Sequence, residues 1–193
     1  MINRLSVTQK LVLSFVFVII VGSILLSLPI SHYANSPETS YLDHLFNTVS
    51  MVCVTGLSVV PVSKAYNGLG QIFSMLLMQT GGLGLVSLIA FSTYTLKNKL
   101  GLSDQDLLQS ALIRDNQKDL KAYLFKVYKI TFSIEALAAL VIMTDFVPRF
   151  GLGHGIFNSL FLAVSAFCNA GFDNLSSNSL QDYATNPTIN LAV

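Results

Sequence analysis

The chain has 193 residues, 52% of them hydrophobic and only 11% charged, with a formal net charge of +1 and a mean hydropathy of +0.62. A soluble domain carries about 25% charged residues, so this much apolar surface exceeds what one soluble core hides, and the bilayer is its natural second solvent. The near-zero net charge leaves no electrostatic footprint for nucleic acid.

Leu11 to Leu28 hold no charge, with Arg4 and Lys10 before the run and Pro29 closing it; a membrane span needs about 20 such residues. A cleaved signal peptide shares the basic start, but the run is long for one and no small-x-small cleavage site follows. Leu42 to Val54 are apolar over too short a stretch to span, which predicts a buried or re-entrant helix broken at Thr55-Gly56-Leu57-Ser58. Gly68 to Leu96 form a third uncharged stretch containing Gly81, Gly82 and Gly84, residues that let neighbouring membrane helices approach closely. The GGLG run lacks the GxxxxGK[ST] frame of a phosphate loop.

Lys97 to Lys121 change character to a charged stretch in which Leu107, Leu108, Ala111 and Leu112, with Ser103 as N-cap, predict an amphipathic helix in a water-facing linker. Ala122 to Val147 form a fourth apolar run in which Lys126 and Lys129 are placed to snorkel. Glu135 lies deeper, as a functional candidate or as the hydrogen-bond partner of a neighbouring helix. Ile156 to Cys168 repeat the short apolar pattern and lead into Asn169-Ala170-Gly171-Phe172; Asp173 to Asn186 are polar, and Asn190 to Val193 begin another apolar segment. Cys53 and Cys168 fit no CxxC or Cys/His ligand pattern and read as apolar packing residues, with a disulfide only weakly motivated.

Nine of the eleven Lys and Arg fall in the first ten residues and in 97–129, which share one side if the Leu11 and Gly68 runs both span. The positive-inside rule makes that side, and the N-terminus, cytoplasmic. The opposite side holds Lys64 and Arg149 with Glu38, Asp43, Asp173 and Asp182, so the two short segments dip in from outside.

The chain also repeats itself. A shift of 115 residues lays Leu45-Phe46-x-x-Val49-Ser50-x-x-Cys53-x-x-Gly56 on Leu160-Phe161-x-x-Val164-Ser165-x-x-Cys168-x-x-Gly171, and the first long run on the fourth. It also places the start of a second exit helix near Tyr183. The expected organisation is therefore a first span–pore loop–span unit over 1–96, a cytoplasmic linker over 97–122, and a second, incomplete unit over 123–193. The fold class is an all-α membrane protein of repeated transmembrane helix–pore loop–transmembrane helix units.

This unit suits a cation. A short helix aimed inward from outside brings its C-terminal carbonyls, the negative end of its dipole, toward the membrane centre. The turn after it exposes further carbonyl oxygens that can replace the hydration shell of a monovalent ion. Gly56 and Gly171 fit such a turn because glycine alone adopts positive φ at little cost; an ordinary helix C-cap is the competing reading of each. No carboxylate lies within either turn, which favours a carbonyl-lined monovalent site over an acidic divalent one. Isolated His32, His44 and His154 offer no nucleophile–base frame for an intramembrane hydrolase. A non-conducting assembly factor needs no repeated glycine turn, and a tetrameric channel has one TVGYG-like loop per chain rather than two divergent ones.

Thr48-Val49-Ser50-Met51-Val52-Cys53-Val54-Thr55-Gly56-Leu57 and Ala163-Val164-Ser165-Ala166-Phe167-Cys168-Asn169-Ala170-Gly171-Phe172 resemble the filter regions of the potassium-translocating subunits of the Ktr/Trk/HKT superfamily, the KtrB type above all. Gln79-Thr80-Gly81-Gly82-Leu83-Gly84 resembles the GGLG stretch of that family's first exit helix. The resemblance implies a potassium-channel-like fold of four units around one pore in the plasma membrane. It implies potassium uptake, often with sodium as activator, by a homodimer with a cytosolic nucleotide-binding KtrA-like regulatory subunit, and no cofactor in this chain. It assigns the filter to Val54, Thr55, Gly56 and Leu57 and to Asn169, Ala170, Gly171 and Phe172. Two filter turns of four do not close a pore, so the chain is expected to be a truncated part of a longer protein, or else two chains share one pore.

Overall fold

A computed structural model describes residues 7–84, 117–175 and 179–193. These residues form helices and connecting turns, in keeping with a chain whose apolar runs must satisfy their own backbone hydrogen bonds. Helix α1 (Val7–Ser27) is 21 residues long, about 31 Å at 1.5 Å per residue, with its described apolar part over Val12–Ser27. Its outward face is Val12, Val16, Phe17, Ile20 and Ile24, all exposed, while Ser23 and Leu26 are fully buried. Pro29 ends it in a single 3₁₀ turn. The side chains of Ser31 (Oγ to the Leu25 carbonyl, 2.7 Å) and His32 (Nε2 to that of Leu26, 2.7 Å) then occupy its last carbonyls.

Helix α2 (Tyr41–Cys53), the first of the two short apolar segments, packs chiefly on α1 and α4. Asp43 in its first turn accepts the Ser40 N–H at 2.8 Å, and Tyr41 Oη and Ser23 Oγ, 2.8 Å apart, tie it to α1. A short helix, α3 (Val62–Ala65), leads to the exit helix α4 (Gly68–Gly82). Asn67 caps α4 by accepting the N–H groups of Leu69 (3.0 Å) and Gly70 (3.1 Å).

The run Gln117–Phe167 is helical throughout except at Gly151, where φ is +78° and ψ 168°. That conformation is open to glycine only, and it divides the run into a long helix, α5 (117–150), and a shorter one, α6 (152–167). Among the described residues, Ala122–Phe167 is the one helical run long and apolar enough to cross a membrane. A turn and loop of thirteen residues separate α1 from α2, whereas a single glycine separates α5 from α6. Helix α5 is described from Gln117, inside the stretch expected to be linker; the amphipathic helix expected around 103–112 lies outside the described residues, as does the rest of the third apolar stretch beyond Gly84.

After a 3₁₀ turn at Ser179–Tyr183, helix α7 (Pro187–Ala192) starts the second exit segment. Its cap, Asn186, accepts the N–H groups of Thr188 (3.0 Å) and Ile189 (3.3 Å), as Asn67 does for α4. The start is four residues later than the 115-residue shift places it, because the polar loop after the second turn is longer by that amount.

The two units share one core. Leu26, Met51, Val52, Tyr66, Leu77 and Met78 of the first pack with Phe161, Cys168, Ala170 and Phe172 of the second. A second cluster, around Ile142, Phe146, Leu162, Tyr183 and Ile189, joins α5, α6 and α7.

Candidate functional site

Helices α2 and α6 end in the same backbone device. After Cys53 the chain turns left-handed at Val54 (φ +57°), and Gly56 is left-handed again (φ +74°). The Thr55 N–H donates to the Ser50 carbonyl at 3.0 Å, and the Leu57 N–H donates to the Ser50 hydroxyl at 2.9 Å. In the second unit Asn169 (φ +52°) and Gly171 (φ +72°) repeat the alternation. The Ala170 N–H donates to the Ser165 carbonyl at 2.8 Å and the Phe172 N–H to the Ser165 hydroxyl at 2.9 Å.

A trans peptide points its C=O opposite its N–H. With the N–H groups of Thr55 and Leu57 tied back to α2, the carbonyls of Val54 and Gly56 point away from it; those of Asn169 and Gly171 leave α6 in the same way. Four carbonyl oxygens are thus turned outward by one serine per unit. Ser50 and Ser165 stand in the 115-residue identity pattern, but a serine inside an apolar helix ordinarily returns its hydroxyl to its own backbone, so their role as brackets shows only in three dimensions.

The turns meet glycine to glycine. A methyl built on Gly171 comes 3.1 Å from the Gly56 Cα, and one on Gly56 comes 3.2 Å from the Ala170 carbonyl oxygen. The structure therefore brings Val54, Thr55, Gly56 and Leu57 and Asn169, Ala170, Gly171 and Phe172 into one place, as two adjacent walls. Beside the second turn lies a cavity of about 140 Å³ lined in part by Ser165, Asn169, Gly171, Phe172 and Asp173. Asp173 is occupied by the Leu175 N–H (3.0 Å) and the Ser179 hydroxyl (2.6 Å).

Side chains outside the turns hold the approach to them. Asn47 accepts the Val59 N–H at 3.0 Å and donates to the Val60 carbonyl at 3.1 Å, pinning the strand of chain beyond the first turn to α2. Asn174, beyond the second turn, donates to Gln71 of α4 (2.9 Å) and Asn158 of α6 (3.0 Å). His32 and His44 are not isolated: their rings stand edge to face at 4.7 Å, and His44 is held by Tyr66 Oη (3.0 Å) and Thr39 Oγ1 (3.0 Å). Burial, then the neighbouring His32, hold the His44 pKa below its ordinary 6.5, with Asp43 opposing. Burial pushes the Tyr66 phenol up to about 12 despite its hydrogen bond from Asn47. His154 is exposed.

Glu135 is buried and accepts a hydrogen bond from Gln79 Nε2 of α4 at 2.7 Å. Cys53, expected to pack, is exposed, whereas Cys168 is buried and its thiol donates to Gln79 Oε1 at 3.3 Å. Among the described residues no three His, Cys, Asp or Glu side chains gather to hold a metal ion.

The chain matches the family described as TrkH, cation transport protein, over residues 6–193. It is 37% identical over 190 residues to the Ktr system potassium uptake protein B of Bacillus subtilis, which covers 98% of this chain and 42% of that protein. It is 35% identical over 181 residues to the potassium/sodium uptake protein NtpJ of Enterococcus hirae (93% of this chain, 40% of that one). It is 33% identical over 183 residues to the Ktr system potassium uptake protein B of Vibrio alginolyticus (95% and 39%). The chain thus spans about 40% of the length of these relatives. The exposed apolar helices, the paired glycine turns and a family match over nearly the whole chain place it together: it is a membrane protein, and it belongs to the TrkH family of cation transport proteins.

Proposed function

We propose that the protein this chain belongs to takes up potassium across the plasma membrane, and that Val54–Leu57 and Asn169–Phe172 are two walls of its filter. The observation that carries the reading is the pair of serine-bracketed turns meeting at Gly56 and Gly171. Their outward carbonyls offer a partly dehydrated monovalent cation an oxygen cage with no formal charge, which suits potassium better than a strongly hydrated divalent ion. The N-terminus is cytoplasmic in this reading, and the acidic outer face draws cations to the turns. The names of the relatives, potassium uptake for two and potassium/sodium uptake for the third, support potassium as substrate and sodium as activator or second cargo. The complete protein works as a homodimer with a cytosolic nucleotide-binding, KtrA-like subunit.

The test is rubidium-86 uptake in potassium-uptake-deficient cells that express the complete gene with its regulatory partner. Saturable uptake that Gly56→Ser weakens or makes less selective is expected. Membrane expression without uptake sinks the transport reading.

A further inference from the structure

One half-buried polar contact lies just behind the second turn, on the side of the first unit. Gln79 of α4 joins two elements of the second unit with one amide: its Nε2 donates to Glu135 Oε1 of α5 at 2.7 Å, and its Oε1 accepts from the Cys168 thiol at 3.3 Å. Cys168 immediately precedes Asn169, where the filter turn begins its left-handed course. A carboxylate accepts hydrogen bonds and donates none. With its Nε2 on Glu135, the Gln79 amide presents its oxygen to Cys168. Close packing holds the same point from a second direction, since a methyl on Gly82 would stand 2.6 Å from the Cys168 Cβ and Sγ.

We propose that Gln79 is a positioning residue of the second filter turn, oriented by Glu135 and acting through Cys168, and that cation discrimination depends on this bridge. This rests on the filter reading above. The bridge touches no ion. It sets where the peptide between Cys168 and Asn169 lies, and thereby the direction of the Asn169 carbonyl relative to Gly56. Cys53, the repeat counterpart of Cys168, is exposed, and the first turn meets α4 through close packing of Gly81 on the Val52 carbonyl instead.

The test measures rubidium-86 uptake against sodium competition for the complete protein, normalised to the amount in the membrane. Gln79→Leu removes both hydrogen bonds, and about a tenfold loss of discrimination is expected, the factor that one buried hydrogen bond carries. Cys168→Ala removes only the thiol donor and shifts discrimination in the same direction, and Cys168→Ser, which restores a donor, recovers it relative to Cys168→Ala. Cys168→Ala adds nothing on a Gln79→Leu background if Gln79 acts through Cys168. Unchanged discrimination in Gln79→Leu or in Cys168→Ala, each present at the wild-type level, overturns the proposal while leaving the filter reading intact. Absence of uptake by the wild type overturns both.

Discussion

At the scale of single residues, the two serines carry the proposed filter reading of the turns. Ser50 and Ser165 each accept, through carbonyl and hydroxyl, two N–H groups of the turn that follows. Replacing either with alanine strands a backbone N–H, at a cost of about 1–3 kcal/mol. Ser50→Ala and Ser165→Ala are therefore expected to weaken rubidium affinity by similar factors, on the order of tenfold, in uptake assays. A large effect at one serine and none at the other would break the equivalence of the turns. Gly56→Ala and Gly171→Ala carry an additional left-handed strain of about 1–2 kcal/mol and, unlike the serine variants, also press a methyl on the opposing turn. The glycines were legible in sequence because two stood at one spacing after similar apolar segments. The outward carbonyls of Val54 and Asn169 were not, since left-handed backbone at non-glycine residues leaves no mark in composition.

At the scale of elements, Gly151 decides where the second span ends. Its backbone lies in a region costing other residues about 1–3 kcal/mol, and nothing lies within 4 Å of a methyl there. Gly151→Ala is expected to lower the melting temperature in detergent through backbone strain alone, while Gly153→Ala, with equal space and no left-handed φ, leaves it unchanged or raises it. The sequence pattern separates the fourth apolar run from the short segment at Ile156, and Gly151 interrupts the helix between them. It placed the second exit helix four residues early, because a fixed repeat shift cannot register a lengthened loop between Phe172 and Asn186.

The start of α2 holds the other element-scale prediction. His44 faces His32 from the turn after α1, Tyr66 from the segment before α4 and Asp43 on its own helix. A histidine whose folded pKa is depressed binds its proton more readily when unfolded. Its contribution is complete above the ordinary 6.5 and is lost as pH falls from there through the folded value. Melting at pH 5.5 should lie below melting at pH 7.5, and His44→Gln should reduce the difference. Sequence reading missed this group because His32, His44 and Tyr66 are brought together only by the fold.

At the scale of the whole molecule, the units are fastened across their boundary above and below the turns, by Asn174 with Gln71 and by Gln79 with Glu135 and Cys168. A double-mutant cycle between Gln71→Leu and Asn174→Leu should show coupling of about 0.5 kcal/mol or more in thermal unfolding; strict additivity would mean that this contact does not join the units. The shared core of Leu26, Met51, Tyr66, Phe161 and Phe172 explains how two halves distant in sequence keep two turns in register.

The most direct measurement is an anomalous-scattering map of the complete protein crystallised in thallium or rubidium. A filter predicts a peak within carbonyl-coordination distance of Val54 or Gly56 and of Asn169 or Gly171, at a position both turns share. A well-ordered structure with those turns in view and no peak between them would contradict it.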